Sequence, residues 1–455
     1  MKKLTFLSIL SLLVASFIIT PTADAAVYRT LPVEIYNLSG ELQSSFEISI
    51  HNNTGGASLA VADLGIDGVP EIILGHGFGN DPRVRILRQD GSEISSFLAY
   101  AENFGRGINV STCDIDKDGL AEIVTGTQYG GGPQVRVFDT NGDVKFNNGF
   151  FAYAEDFRGG VNVACDDLDG DGEVEIVTAP GPTGGPHVRM WEWNGNDWEI
   201  EEDFFAFDAT DSGGANIEIV NSSNGDKQLS VSHMTGTNAE IISYSIHSTP
   251  ILISSVQNNI QSGINFSKTV DNNLVVAPTE FGNNNVRIEK SDGSIVDIQK
   301  SFAQDVVLTD LDQDGQNEIV MVPNGSLVGP KSAKHILIDV SEQRLFAYKD
   351  GILDNSFYIS SGLYSSPSPQ GNFDVLAKKE WVDYTWNYGE GNPNNYSLGL
   401  TPWNLMFQPH YYIHSAPWHN NYGNRMSHGC VNASTENAEW IFHWADVGIP
   451  VDVVD

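Results

Sequence analysis

Ser427-His428-Gly429-Cys430-Val431-Asn432, with His414 sixteen residues ahead of the cysteine, is the stretch whose residue types suit covalent chemistry. A cysteine thiol is largely protonated at neutral pH, so attack on a carbonyl needs a nearby base or positive end to favour the thiolate. His414 is the candidate base if two strands return it beside Cys430. Ser415, or a backbone carbonyl, is the candidate group that fixes the imidazole tautomer. Backbone N–H groups around Gly429 and Cys430 are candidate oxyanion donors, and a glycine there permits close backbone approach. Two other uses of the same residues stay open: a buried structural thiol, and a metal site built from His414, His419, His428 and Cys430. No carboxylate or second cysteine falls at ligand spacing, which disfavours the metal.

The elements that must position these residues begin at Ser332. Ile336 to Val340, then Gln343 to Tyr348 and Gly351, read as strand, turn and strand, and aromatic-rich strands continue to the closing Gly448-Ile449-Pro450-Val451. The run from His414 through Asn432 resembles the active-site signature of the L,D-transpeptidase (YkuD) catalytic domain, an upstream His followed by Ser-His-Gly-Cys-hydrophobic-Asn. Ser368-Pro369-Gln370-Gly371-Asn372-Phe373 and the Gly-x-Pro-Val ending also match, so the resemblance covers residues 332–455. Ser368 stands where Thr is common, and the gap from His414 to Ser427 is short, which bears on the lid between them.

The resemblance implies a β-rich domain that cross-links peptidoglycan without a catalytic cofactor. Cys430 would attack the carbonyl of the third residue of a donor stem tetrapeptide and expel the terminal D-Ala, and an acceptor amine would resolve the thioester. His414 would be base and then acid, Ser415 would orient it, and His428, Gly429 and Cys430 would supply oxyanion contacts. Arg425, Asn432 and Trp418 are the candidate substrate contacts; a solvated surface Arg and a local backbone staple are the plainer readings of the first two. Trp381, Tyr384, Trp386 and Tyr388 read either as groove lining or as strand packing.

Ahead of this segment, Val33 to Pro323 repeats about every 51 residues. Val84-Arg85-Ile86, Val135-Arg136-Val137, Val188-Arg189-Met190 and Val286-Arg287-Ile288 each precede an Asp-Gly or Asn-Gly pair, a hairpin signature because those dipeptides tolerate positive φ. The other half of each unit is an Asp-rich loop entering an apolar strand. Asp114, Asp116, Asp118 and Glu122 form one; Asp167, Asp169, Asp171 and Glu175 a second; Asp310, Asp312, Asp314 and Glu318 a third. Asp63, Asp67 and Glu71 form a weaker one. Carboxylates at such spacing can wrap a hard cation, so structural Ca²⁺ is expected. Eroded copies near Asn221 to Ser230 and Val270 to Pro278 bring the count to six. The hairpin at Val33 to Tyr36 is expected to complete the last unit, giving a six-bladed β-propeller. The units resemble FG-GAP or VCBS repeats of integrin-type propellers.

The fold class is therefore all-β: a propeller over 26–323 with Ca-binding loops, a linker at 324–331 and a β-rich catalytic domain over 332–455. Residues 1–25 read as an export signal, with Lys2 and Lys3 before an apolar run and Ala23-Asp24-Ala25 at its end. The alternative is an uncleaved anchor. The expected location is outside a bacterial cytoplasm: periplasm, cell wall or surface. A net charge of -35 excludes a nucleic-acid partner. Cys113 and Cys165 occupy matching places in neighbouring units, where they either pair or are small buried residues. Stem peptides are the expected partners, with a glycan or protein ligand for the propeller and a monomeric chain. Water or a protein amine as acceptor, and a wall-anchored adhesion module, are the competing functions.

Overall fold

The computed structural model describes residues 29–454 apart from 51–54, 66, 222–224, 236–238, 247–249, 259–262, 280–284, 301–302, 325–332, 342, 350–351, 387–388 and 392–395. The expected export signal and nearly all of the expected linker lie outside the described residues, as does Tyr388. What is described is strand, with one helix, Thr435–Trp444.

Residues before the linker form six four-stranded antiparallel sheets among the described residues. Five are sequential. The sixth joins the two ends of the segment: Arg29–Asn37 pairs with Glu318–Pro323, Glu34 facing Met321, and lies between it and Leu42–Ile50. The first strands of the sheets are Gly55–Ala62, Ile108–Cys113, Val161–Asp166, Ala215–Asn221, Ile264–Lys268 and Gln304–Thr309. Each lies against the next, and Gln304–Thr309 lies against Gly55–Ala62. Second strands such as Glu122–Thr127 and Glu175–Pro180 are buried along their whole length, sandwiched between neighbouring sheets, so both faces are apolar or hydrogen-bonded. The hairpins close where expected: Gly142 has φ +89, and an added Cβ would meet the Phe97 ring at 2.5 Å, so this turn needs glycine twice over.

A belt of carboxamides ties the first strands together. Asn109 donates to Asn162 at 2.8 Å, Asn162 to Asn216 at 3.2 Å, Asn216 to Asn265 at 2.9 Å and Asn265 to the Gln304 carbonyl at 3.0 Å. These strands enclose a cavity of about 330 Å³ that Glu218 and Asp305 also line. Glu218 accepts from Ser267 at 2.6 Å while its Oε2 has no partner among the described residues. Asp305 accepts the Leu59 N–H at 2.9 Å. Burial pushes Glu218 up to about 8 and Asp305 up to about 7. Cys113 and Cys165, left open by the sequence, form a disulfide between neighbouring first strands.

After the linker, Ile352–Tyr358, Arg344–Lys349, His335–Asp339, Pro450–Val454 and Gly371–Asp374 form a five-stranded sheet in that order. A second sheet orders Ala377–Trp386, Tyr396–Gln408, Tyr411–Ser415 and Val431–Ala433. Ile336, Ile338, Leu405, Phe407, Ile413, Val431, Val451 and the helix residues Ala438 and Ile441 share one core. Ser434 caps the helix by accepting the Asn437 N–H at 3.2 Å. Leu337, Phe346, Tyr348 and Leu353 of the five-stranded sheet pack with Phe78 of the repeat region, with Met234 beside them. The two regions therefore share an apolar junction.

Candidate active site

Tyr411–Ser415 and Val431–Ala433 are parallel neighbours, Ile413 facing Val431 and His414 facing Asn432. Parallel strands cannot be joined by a tight turn, and residues 416–430 supply the crossover that carries Cys430 to the start of the second strand. In this register Cys430 falls level with Tyr412, two residues from His414 and on the same face, because side chains alternate along a strand. The topology thus sets the candidate base and the candidate nucleophile on neighbouring strands, where the sequence could only place them in order.

His414 is 3% exposed. Its Nδ1–H donates to the backbone carbonyl of Ser415 at 2.7 Å, leaving Nε2 as the acceptor. The imidazole stacks on Tyr384 with ring centroids 4.4 Å apart, and Trp418, 39% exposed, lies 6.0 Å away ring to ring. Burial holds His414 down at about 4, so it is neutral at physiological pH. The half-buried Cys430 is the free cysteine of the described residues. Its Sγ lies 3.9 Å from the His410 carbonyl, and burial pushes the thiol up to about 11. Both groups rest uncharged.

Several expected roles shift. The Ser415 side chain does not orient His414: its hydroxyl donates to the Pro402 carbonyl at 2.9 Å, and its own carbonyl holds the ring. The Gly429 N–H is already donated to Ser427 Oγ at 3.0 Å, while the same hydroxyl donates to the Cys430 carbonyl. Gly429 therefore shapes the turn rather than offering a free donor. Its φ is +116, and a Cβ would meet the Tyr411 ring at 2.6 Å. His428 is exposed, its carbonyl accepting from Ser366 at 3.1 Å.

Of the candidate substrate contacts, Asn432 is 3% exposed and joined to His419 at 3.2 Å, the local staple rather than a free contact. Arg425 donates to the Gly362 and Val340 carbonyls at 3.3 and 3.2 Å, with its guanidinium over the Tyr364 ring. It braces the crossover from beneath. Tyr384 is buried packing and Trp381 is 55% exposed. The sequence offered Tyr384 as groove lining or strand packing, because alternation alone does not say which face is buried, and it bore no sign of Tyr411, whose ring lies against Gly429.

The acidic loops form three groups whose ligand oxygens lie within 4.8 Å of one another: Asp114, Asp116 and Glu122; Asp167, Asp169 and Glu175; Asp310, Asp312 and Glu318. Asp118, Asp171 and Asp314 are not in these groups. Each instead accepts the backbone N–H two residues on, at 2.9, 2.7 and 2.8 Å. Asp63, Asp67 and Glu71 form no such group among the described residues, where Gly65 stands in place of the middle carboxylate. Burial and neighbouring carboxylates push Glu175 up to about 8 and raise Glu122 and Glu318. Gathered carboxylates of this kind fit a hard divalent cation. The first group differs, because the Lys145 ammonium lies 2.6 Å from Asp116 and 3.3 Å from Glu122.

Residues 333–453 match the family model described as the L,D-transpeptidase catalytic domain (YkuD). Over 127 residues the chain is 33% identical to L,D-transpeptidase 1 of Mycobacterium tuberculosis (strain ATCC 25618 / H37Rv), covering 25% of this chain and 48% of that protein. It is 30% identical over 115 residues to the Probable L,D-transpeptidase 3 of the same strain, covering 23% and 39%. The chain thus spans about half the length, or less, of these curated relatives. Among solved structures it is similar to the catalytic domain of the E. faecium L,D-transpeptidase, at 26% identity and TM-score 0.24 over 27% of this chain and 98% of that one. It is also similar to an L,D-transpeptidase from Mycobacterium smegmatis, at 23% identity and TM-score 0.26 over 31% and 75%.

Proposed function

We propose that the chain is an exported peptidoglycan L,D-transpeptidase whose nucleophile is Cys430. The observation that carries this reading is the parallel register that sets Cys430 beside the strand of His414, with Nδ1 tethered to the Ser415 carbonyl and Nε2 left to accept a proton. The match of residues 333–453 to the catalytic-domain family supports the substrate class.

Because both groups rest neutral, proton transfer accompanies attack rather than preceding it. The Cys430 S–H proton passes to His414 Nε2 as sulfur bonds to the carbonyl carbon of the third stem residue. The tetrahedral intermediate collapses, the C–N bond to the terminal D-Ala breaks, and the imidazolium returns the proton to the leaving amine. The acceptor amine then attacks the thioester; a new C–N bond forms, the C–S bond breaks and the thiol is restored. Tyr384 and the Ser415 carbonyl keep the imidazole in one plane throughout. Trp418 stands at the rim, where it contacts the stem peptide.

Residues 26–323 act in this reading as a six-bladed propeller that binds or spaces, with Ca²⁺ held structurally in its acidic loops. The cyclic order of first strands and the pairing of Arg29–Asn37 with Glu318–Pro323 support the blade count. Residues 1–25 direct export, and the chain works as a monomer on stem peptides.

The deciding experiment incubates the protein and Cys430→Ala with disaccharide-tetrapeptide and follows products by mass. Cross-linked dimer from the parent alone supports transpeptidation. Free tripeptide would assign hydrolysis instead, and no turnover by either protein would sink the enzyme reading.

A further inference from the structure

The three acidic groups differ in what faces them. At Asp114, Asp116 and Glu122 it is the Lys145 ammonium, within hydrogen-bond distance of two of the three carboxylates. At Asp167, Asp169 and Glu175 the added neighbour is another carboxylate, Glu201. Among the described residues, no Lys or Arg pairs with a carboxylate of that group or of Asp310, Asp312 and Glu318; the nearby ion pairs fall on Asp166 and Glu173, outside both.

Burial makes the contrast matter. The Glu122 side chain is 2% exposed, and an ionised carboxylate so enclosed is costly unless a countercharge reaches it. Lys145 supplies that charge from the turn after strand Gln134–Phe138 of the same sheet, with its own side chain only 29% exposed. Glu175 is equally enclosed, 1% exposed, with no such partner. An ammonium on two of three ligands takes the place of a metal ion: a divalent cation entering the first loop would have to expel Lys145 or sit against a like charge.

We infer that Lys145 is the resident cation of the first loop, so that divalent-cation binding is confined to the loops at Asp167 and Asp310. The inference rests on the calcium reading above and divides it: one loop is closed by the chain itself, and two respond to the ion supply. The segment beside the Cys113–Cys165 bridge then keeps its shape when divalent cations are scarce.

The test counts ions. The full chain, stripped of divalent cations, is titrated with calcium chloride by calorimetry, beside Lys145→Gln and Lys145→Arg. Two ions per parent chain, three for Lys145→Gln and two for Lys145→Arg is the expected result. In chelator Lys145→Gln melts several degrees below the parent, and saturating calcium closes the gap. Three ions in the parent, or no gain in Lys145→Gln, overturns the inference while leaving the calcium reading intact. No binding by any of the proteins overturns the calcium reading and this inference with it. Should Lys145→Gln fail to fold, Asp116→Asn decides: the count stays at two if Lys145 fills the loop and drops if an ion does.

Discussion

The rings of Tyr384 and His414 stack at a centroid distance of 4.4 Å and 28° from parallel, with the Tyr384 hydroxyl donating to Asn404 at 2.8 Å. Tyr384 thus walls one face of the imidazole from a strand far from the sequence motif. Tyr384→Ala should slow acyl transfer roughly 10- to 100-fold, since small misplacement of a catalytic base costs that order. Tyr384→Phe, which keeps the ring, should retain most of the rate. Steady-state kinetics with disaccharide-tetrapeptide, alongside circular dichroism to confirm folding, checks both.

Neutral resting groups predict a distinctive pH response. With the thiol up at about 11, iodoacetamide labelling of Cys430 should rise with pH until it levels near 11. Acyl transfer needs His414 unprotonated and should be lost only as pH falls through about 4. A labelling plateau already reached near neutrality would instead reveal a thiolate–imidazolium pair.

Gly429→Ala should leave the fold intact but cut acylation by a carbapenem on the order of 100-fold. A Cβ in this left-handed turn collides with the Tyr411 ring, and the displacement passes directly to Cys430. Adduct formation followed by intact mass reads the effect.

In the repeat region, Glu218 and Asp305 have folded-state values raised above the ordinary carboxyl range. The folded state therefore holds protons that the unfolded chain has released. The stability these two groups contribute is full below about pH 4 and declines as pH rises through about 7 and 8. The repeat region should melt progressively lower from pH 5 to pH 8.5, and Glu218→Gln should melt several degrees above the parent at pH 8.5. Calorimetric melts across that range decide it.

Replacing Cys113 and Cys165 by Ser frees a loop of 52 residues. The chain-entropy estimate gives a loss of about 4 kcal/mol. Denaturant unfolding of the repeat region, with the catalytic domain as an internal reference, measures it.

Much of this was legible in the sequence because it is local. Repeat period, Asp-Gly hairpins and acidic loops all depend on neighbours a few residues apart, and the six sheets appear where those marks fall, with Arg29–Asn37 paired to Glu318–Pro323 as the leftover hairpin requires. The roles that moved depend on register and on distant partners. The tether on His414, which the sequence left to Ser415 or a backbone carbonyl, is the Ser415 carbonyl, because the Ser415 hydroxyl turns to Pro402. Asp118 matches a ligand by spacing, while its carboxylate accepts the Leu120 N–H and lies outside the group of Asp114, Asp116 and Glu122. Lys145 carried no mark at all, since its carboxylate partners lie more than twenty residues back, across the hairpin.

The strand pairings at the ends have a consequence for synthesis. Arg29–Asn37 pairs with Glu318–Pro323, and His335–Asp339 pairs in parallel with Pro450–Val454. In each region an early strand has a partner close by in sequence, Leu42–Ile50 or Arg344–Lys349, but gains its other partner only from the far end of that region, and such long-range pairing is slow to form. A chain stopped short of Pro450 would leave His335–Asp339 and Gly371–Asp374 without the strand that lies between them. The five-stranded sheet thus stays in two parts until Pro450–Val454 arrives to join them.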